Sequence, residues 1–362
     1  MKNIEKLIVK YNGKTVGYLA ELKNGDIAFQ YDETWLNNGF SISPFSLPLK
    51  NEIFVNNKRY FGGLHGVFND SLPDGWGELL VKRYLAKQGI NYDNLSPLTK
   101  LSLINGNGLG GLDYEPCQNK DEPNDFDLDK LCEEVQKILD EKEYTDFDKM
   151  FLLGGSSGGA RPKAHIKINN NYYIVKFPCR IDPVDIGINE YNANILAKKC
   201  GINVNEFTLF PSKTSKGFFG AKRFDRINGR KIHTISLSSL LETSHRVPNL
   251  DYIHLFQVIN AICDSEEDLY EAYKRMCFNV IYGNKDDHGK NFAFIYDENK
   301  KSYTLSPFYD ITQTPEKPEH EMTVNGKPNP TISDLLEMIK IFNLSENRCK
   351  NIIDETIKIL KK

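Results

Sequence analysis

Apolar and polar residues alternate through residues 4–31 (IEKLIVKYNGKTVGYLAELKNGDIAFQY), with turn signals at Asn12-Gly13 and Asn24-Gly25. A period of two punctuated by Asn-Gly predicts a β-meander of short strands. After Pro73 the period lengthens. Trp76, Leu79, Leu80 and Tyr84 fall on one helical face, and Gly89 closes the helix. The first 115 residues therefore predict a small α+β unit. Residues 115–126 (EPCQNKDEPNDF) carry two prolines and no apolar period, which predicts a linker. An amphipathic helix follows, with Leu128, Leu131, Val135 and Leu139 on one face. A second unit opens near residue 150 with a glycine-rich turn and a strand from Tyr172 to Phe177. A helix around Glu190 to Cys200 closes at Gly201; strands near 207–224 and a mainly helical stretch complete the chain. The division is 1–115, a linker and helix over 116–148, and 149–362. Strands first and helices later is the layout of a two-lobed kinase, and other α+β folds share it.

Composition narrows the setting. Of 362 residues, 40% are hydrophobic and 26% charged, which suits a soluble globular protein of two domains or lobes. Lys and Arg (46) nearly balance Asp and Glu (49), so no global charge drives the chain toward DNA or an anionic membrane. The seven cysteines are scattered without a CxxC pair, as expected in a reducing compartment. The N-terminus lacks the apolar run of a signal peptide, and no stretch reaches the roughly 18 apolar residues of a membrane span. The expectation is a cytoplasmic protein without a membrane partner.

Four constellations in the second unit carry candidate chemistry. Gly154-Gly155-Ser156-Ser157-Gly158-Gly159-Ala160-Arg161-Pro162-Lys163 is a loop whose backbone N–H groups could close around phosphate oxygens, with Arg161 and Lys163 adding positive charge. A flexible loop has the same composition, and the GxxxxGK[ST] order is absent. Lys176 ends an apolar strand. It is either exposed on an edge or reaches phosphates with an acidic partner, for which Glu190 is the candidate. In Asn284-Lys285-Asp286-Asp287-His288-Gly289-Lys290-Asn291, Asp286 and Asn291 have the Asp-to-Asn spacing of a kinase catalytic loop. A hydroxyl nucleophile needs a nearby carboxylate, and Mg²⁺ prefers oxygen ligands; a polar turn would use similar residues. Asp310, in Ser306-Pro307-Phe308-Tyr309-Asp310, follows one hairpin later, where a kinase places its second Mg²⁺ ligand; it could instead cap a helix.

These residues together resemble the HipA family of serine/threonine kinases, the toxins of bacterial toxin–antitoxin systems. The resemblance also rests on Ser46-Leu47-Pro48-Leu49, Asn69-Asp70-Ser71-Leu72-Pro73-Asp74-Gly75-Trp76-Gly77, Lys222-Arg223-Phe224-Asp225-Arg226 and Val324-Asn325-Gly326-Lys327. It implies a mixed α+β, two-lobed fold akin to protein and phosphoinositide kinases, with ATP and Mg²⁺ as cofactors. By position it implies Asp286 as general base and Asn291 and Asp310 as Mg²⁺ ligands. It implies an ATP site of Gly158, Gly159, Ala160, Arg161, Pro162, Lys163 and Lys176, with Lys222, Arg223, Phe224 and Asp225 at adenine, and His288, Lys290, Asn291, Tyr309 and Asp310 nearby. Ser156, or the adjacent Ser157, matches a serine whose autophosphorylation silences the kinase; the added charge would repel ATP. The resemblance further implies a protein substrate, an aminoacyl-tRNA synthetase in characterised members. It also implies a HipB-like antitoxin through which DNA is met only indirectly.

Gly106-Asn107-Gly108-Leu109-Gly110-Gly111 contains GxGxxG, but Leu112-Asp113-Tyr114-Glu115-Pro116 does not open a helix, so a structural turn is expected. The seven histidines form no close pair in sequence. The rival readings are a small-molecule phosphotransferase and an inactive HipA-like binding module; the first keeps the same Asp and Asn chemistry.

Overall fold

The alternation at the start of the chain folds as its period dictates. In the computed structural model, which describes residues 3–56, 59–104, 106, 108–117, 127–142, 147–179, 182–183 and 185–361, three antiparallel strands open the chain: β1 (Lys6–Tyr11), β2 (Lys14–Glu21) and β3 (Ile27–Tyr31). Leu7, Val9 and Tyr11 point inward from β1 while Lys6 faces solvent. With β4 (Ile53–Val55) and β5 (Leu112–Glu115) they form a sheet of order β4-β3-β2-β1-β5. The helices α1 (Glu33–Asn38), α2 (Gly66–Asn69), α3 (Gly75–Ala86) and α4 (Pro97–Leu101) lie between β3 and β5 in the chain.

The amphipathic segment forms α5 (Leu128–Leu139), and α6 (Phe147–Gly154) leads into a second sheet. Its strands are β6 (Lys163–Ile168), β7 (Asn171–Lys176), β8 (Phe207–Phe210) and β9 (Phe218–Lys222), in the order β6-β7-β9-β8. Strand β6 is absent from the expectation, although KAHIKI alternates polar and apolar residues and Ala164, Ile166 and Ile168 meet the core. Most of the linker expected at 115–126 lies outside the described residues. The helix expected from Glu190 starts earlier, as α7 (Ile186–Lys199). The chain beyond 224 is less helical than its composition suggests. It adds the hairpin β10 (Arg226–Ile227) and β11 (Arg230–Lys231), then β12 (Thr234–Ser236) and α8 (Leu237–Leu240). Next come α9 (Tyr252–Ile262), α10 (Glu267–Tyr282), the hairpin β13 (Ala293–Asp297) and β14 (Ser302–Leu305), and finally α11 (Ile332–Ile341) and α12 (Glu346–Leu360).

Two units result. The first comprises Met1–Ile188, Thr208–Ile235 and Ser239–Thr243; the second comprises Asn189–Phe207, Ser236–Ser238 and Ser244–Lys362. In the first, one apolar core joins α3, α5 and α6 to the second sheet through Trp76, Leu80, Val135, Phe151, Ile166 and Val175. In the second, Ala193 and Ala197 of α7 pack with Phe278, Phe308 and Ile311. Among the described residues no helix is long and apolar enough to cross a membrane.

A buried ion network secures the first unit after β9. Asp225 accepts from Arg223 Nε at 2.8 Å and Nη2 at 2.6 Å, and from Arg226 Nη1 at 3.1 Å. The guanidinium groups also donate to the carbonyls of Gly108 (2.7 Å from each arginine) and Gly110 (2.7 Å), while the Gly110 N–H donates to Asp225 at 2.8 Å. The GxGxxG segment is thus a structural turn, as expected, whose carbonyls wrap two arginines and which runs directly into β5; Asn107 lies outside the described residues. Burial alone would raise the Asp225 carboxyl, but Arg223 and Arg226 outweigh it and hold the group far below the usual carboxylate range. A depressed folded-state value stabilises the fold above the unfolded value of 3.8, and that stability is lost as pH falls below it. Asp225→Asn should therefore cost about 3–5 kcal/mol in chemical unfolding at pH 7. The difference from wild type should shrink progressively below about pH 4.

Candidate functional site

The candidate residues fall in both units. In the first, the glycine-rich loop leaves the end of α6, where the Gly155 N–H still bonds the Phe151 carbonyl at 2.7 Å. Ser156 and Ser157 are 4% and 0% exposed. Ser157 Oγ donates to the Gly154 carbonyl at 2.6 Å, whereas Ser156 Oγ has no hydrogen-bond partner among the described residues. The loop then turns into β6, whose first residue is Lys163. Lys163 and Lys176 stand directly opposite each other in the β6–β7 ladder. Lys163 Nζ donates back to the Gly158 carbonyl at 2.5 Å, past Gly159, where a Cβ would lie 2.7 Å from that nitrogen. Lys176 Nζ lies 5.8 Å above the Phe219 ring centroid, and Arg161 pairs with Asp182 at 2.7 Å.

Residues 222–225 alternate in burial, with Lys222 and Phe224 half-buried and Arg223 and Asp225 buried. The Arg223 N–H donates to Tyr172 at 2.7 Å, and the side chains of Arg223 and Asp225 are committed to the ion network. These two side chains serve the scaffold.

In the second unit, α10 ends at Gly283, in the left-handed region at φ +82°. The 284–291 loop follows. Its adjacent aspartates have opposite environments: the Asp287 side chain is 0% exposed and that of Asp286 is 38% exposed. Asp287 accepts from Tyr252 Oη at 2.9 Å, from the Glu321 N–H at 3.0 Å and from the Met322 N–H at 3.4 Å, and pairs with His320 Nδ1 at 2.8 Å. Tyr252 Oη accepts from Asn279 Nδ2 at 2.9 Å, and Asn279 Oδ1 accepts from Asn284 Nδ2 at 2.9 Å, so a buried chain of hydrogen bonds ties the loop to the end of α10. Burial, reinforced by the Asp287 charge, pushes the Tyr252 hydroxyl well above the ordinary tyrosine range.

Asp286 instead pairs with Lys317 Nζ at 2.5 Å, and Lys317 also bonds Glu321 at 2.7 Å. Burial alone would lower the Lys317 ammonium, but its bonds to the two carboxylates outweigh that and hold it above its ordinary value. Asn291 Nδ2 donates to the Asp286 carbonyl at 2.6 Å, which turns its Oδ1 the other way. His288 caps the following turn, accepting from the Lys290 N–H at 3.2 Å, and its ring lies 5.5 Å from that of His245. This pair of rings, 43 residues apart by number, is not visible as a histidine pair in the sequence. Gly289 is required by close approach: a Cβ there would sit 2.5 Å from Leu250 Cδ1 and 2.6 Å from Ser238 Oγ.

The segment carrying Asp310 is drawn onto the same loop. Tyr309 Oη donates to the Lys290 carbonyl at 2.6 Å, which brings the residue before Asp310 against the residue before Asn291. Buried Arg275 donates to the Ser306 carbonyl at 2.6 Å and lies 5.5 Å from the Phe308 ring centroid. Asp310 itself has φ +53°, a left-handed conformation that a non-glycine residue adopts only when its surroundings demand it. Val324-Asn325-Gly326-Lys327 forms a turn closed at both ends by Val324–Lys327 hydrogen bonds of 3.0 Å. Asp251 fixes it through the N–H groups of Gly326 at 2.7 Å and Asn325 at 3.3 Å. Sequence reasoning missed Lys317, His320, Glu321, Tyr252 and Asp251. Only the Val-Asn-Gly-Lys turn signalled that this stretch mattered. Glu190 is a buried carboxylate on α7.

Two profiles of known families match the chain: the HipA N-terminal domain over residues 7–115 and the HipA-like C-terminal domain over residues 155–362. A Sinorhizobium fredii protein named "Putative kinase Y4mE" is 23% identical, covering 87% of this chain and 79% of its own length. The serine/threonine-protein kinase CtkA of Helicobacter pylori is 26% identical over 44% of this chain and 50% of its own. Among solved structures, HipA from the Shewanella oneidensis MR-1 complex of HipA, HipB and operator DNA superposes with a TM-score of 0.70. The two share 20% identity over 98% of this chain and 88% of that one. The mixed α+β fold is therefore that of HipA.

The unequal burial of the two aspartates is directly testable. Asp287→Ala would leave a buried tyrosine hydroxyl and two backbone N–H groups without their acceptor, at a cost of about 3 kcal/mol or more in urea unfolding. Asp286→Ala removes one half-exposed ion pair and should cost under about 1 kcal/mol.

Proposed function

Since the chain belongs to the HipA family, we propose that it is an ATP- and Mg²⁺-dependent serine/threonine protein kinase. The observation that carries this reading is the Tyr309–Lys290 hydrogen bond of 2.6 Å. It joins the segment carrying Asp310 to the loop that holds Asp286 and Asn291, which supports reading two carboxylates and an amide oxygen as one site. Such an oxygen donor set suits Mg²⁺. Asn291 Oδ1 and the Asp310 carboxylate would hold the metal, which would neutralise charge on the transferring phosphoryl group. In the first unit, like charges directly opposite on antiparallel strands repel, and an anion offsets that repulsion. Lys163 and Lys176 have this arrangement beside a glycine loop, which supports a role for both, with residues 158–162, in holding nucleotide phosphates.

Asp286 has the remaining task. Its carboxylate, half-exposed and held by Lys317, would accept the proton of an incoming serine or threonine hydroxyl. The hydroxyl oxygen bonds the γ-phosphorus as the bond from that phosphorus to the β,γ-bridging oxygen breaks, and ADP leaves. Lys317 would keep Asp286 oriented.

The likeness to HipA in its complex with HipB and DNA supports a toxin role, with a HipB-like antitoxin as partner and DNA met through it. The substrate class is a protein, with a translation enzyme such as an aminoacyl-tRNA synthetase as the first candidate. Self-silencing at Ser156 or Ser157 is part of the reading. Both serines are buried, so modification needs the loop to leave its position.

Intact mass after incubation with Mg²⁺ and ATP tests the proposal. Wild type should gain phosphate mapped to Ser156 or Ser157. Asp286→Gln should lose activity by about 10²–10⁴-fold while keeping its fold. Equal phosphate incorporation by the variant would remove Asp286 from the chemistry.

A further inference from the structure

Asp74 is the N-cap of α3, yet its side chain makes no capping hydrogen bond to that helix. The carboxylate, largely buried, instead accepts the N–H of Gly159 in the glycine-rich loop. The contacts around it run the same way. The Trp76 N–H donates to the Gly159 carbonyl at 3.0 Å, and Trp76 Nε1 donates to the Lys163 carbonyl at 3.1 Å. Gly75 adopts φ +48°, and a Cβ there would lie 2.6 Å from the Gly159 oxygen. A Cβ on Gly77 would lie 2.2 Å from the Ser157 oxygen. Four consecutive residues thus take up the loop's backbone from Ser157 to Lys163, and two of them must lack side chains to come so close.

We propose that Asp74-Gly75-Trp76-Gly77 is a latch that holds the glycine-rich loop in its closed form. It would thereby set both the loop's readiness for phosphate and the exposure of Ser156 and Ser157. The functional half of this statement rests on the kinase reading; the latch itself does not. Asp74 supplies the only charged acceptor among these contacts, and a charge-assisted bond to a backbone N–H is the strongest single tie to lose. The Lys163 bond to the Gly158 carbonyl closes the loop from the other side. Asp74 is therefore a positioning residue. It touches the loop, while the loop would touch the nucleotide.

Hydrogen exchange read by mass spectrometry on the full chain tests this, with Asp74→Ala and Asp74→Asn compared with wild type. In Asp74→Ala, amides of residues 154–163 should exchange roughly ten- to a hundredfold faster, the range expected for losing a hydrogen bond to a charged acceptor. The helix α5, which shares the same core, should be unchanged. Asp74→Asn, whose amide oxygen can still accept, should fall between the two. Fluorescent-nucleotide affinity should weaken in the same order, and self-phosphorylation at Ser156 or Ser157 should rise in Asp74→Ala. Unchanged loop exchange, or acceleration spread equally over α5 in both variants, would overturn the latch. A loosened loop with unchanged nucleotide affinity would keep the latch and overturn its link to phosphate binding, which is how a failure of the kinase reading would show.

Discussion

A carboxylate with no exposed side-chain surface must have every oxygen met by a donor, and the second unit is arranged around meeting that demand at Asp287. Tyr252 comes from the start of α9, His320 and two backbone N–H groups come from the stretch before the Val-Asn-Gly-Lys turn, and Asn279 and Asn284 extend the chain of bonds to the end of α10. These three stretches are far apart in sequence, and each is fixed by satisfying one group. Because Asp287 is immobilised, its neighbour Asp286 must project from a rigid backbone into a half-exposed position beside Lys317. The half-exposed carboxylate is aimed by the buried one.

The first unit solves a related problem with opposite signs. Two guanidinium groups buried beside β9 would be costly alone, but Asp225 and the carbonyls of Gly108 and Gly110 satisfy their donors. The effect is to staple the turn before β5 to the strand that carries Lys222. Residues that look like ligand contacts in the sequence are here spent on geometry. The alternation of burial through 222–225 separates Arg223 and Asp225, which build the scaffold, from the half-buried Lys222 and Phe224.

How much of this was legible in the sequence depends on distance along the chain. The strands of the opening meander and the helices α3 and α5 announce themselves by period, because one buried face imposes it. Asp286 and Asn291 are legible because they stand five positions apart and the spacing itself is chemical information. Lys317, His320 and Asp251 are not, since they are common residue types whose meaning arises only when the chain folds back. Strand β6 was legible in principle, since Ala164, Ile166 and Ile168 alternate with polar residues, but it is short and directly follows the glycine-rich loop that drew the reading. Nor could two adjacent aspartates in a polar loop reveal which one is buried.

The sheet that carries Lys163 and Lys176 also limits how the chain can be divided. The HipA-like C-terminal profile begins at residue 155, yet the apolar face of β6, β7 and β9 is covered by Trp76, Leu80, Val81 and Leu85 of α3 and by Val135 and Ile138 of α5. Each large apolar side chain uncovered would forfeit roughly 1.5–3 kcal/mol, so residues 155–362 alone would expose a surface the sheet is built to bury. The same helix whose first turn grips the glycine-rich loop also completes the core beneath it. The N-terminal residues are thus part of the scaffold on which the loop stands. A change in how α3 packs would reach the loop through Trp76, which is in the core by its ring and on the loop by its backbone N–H.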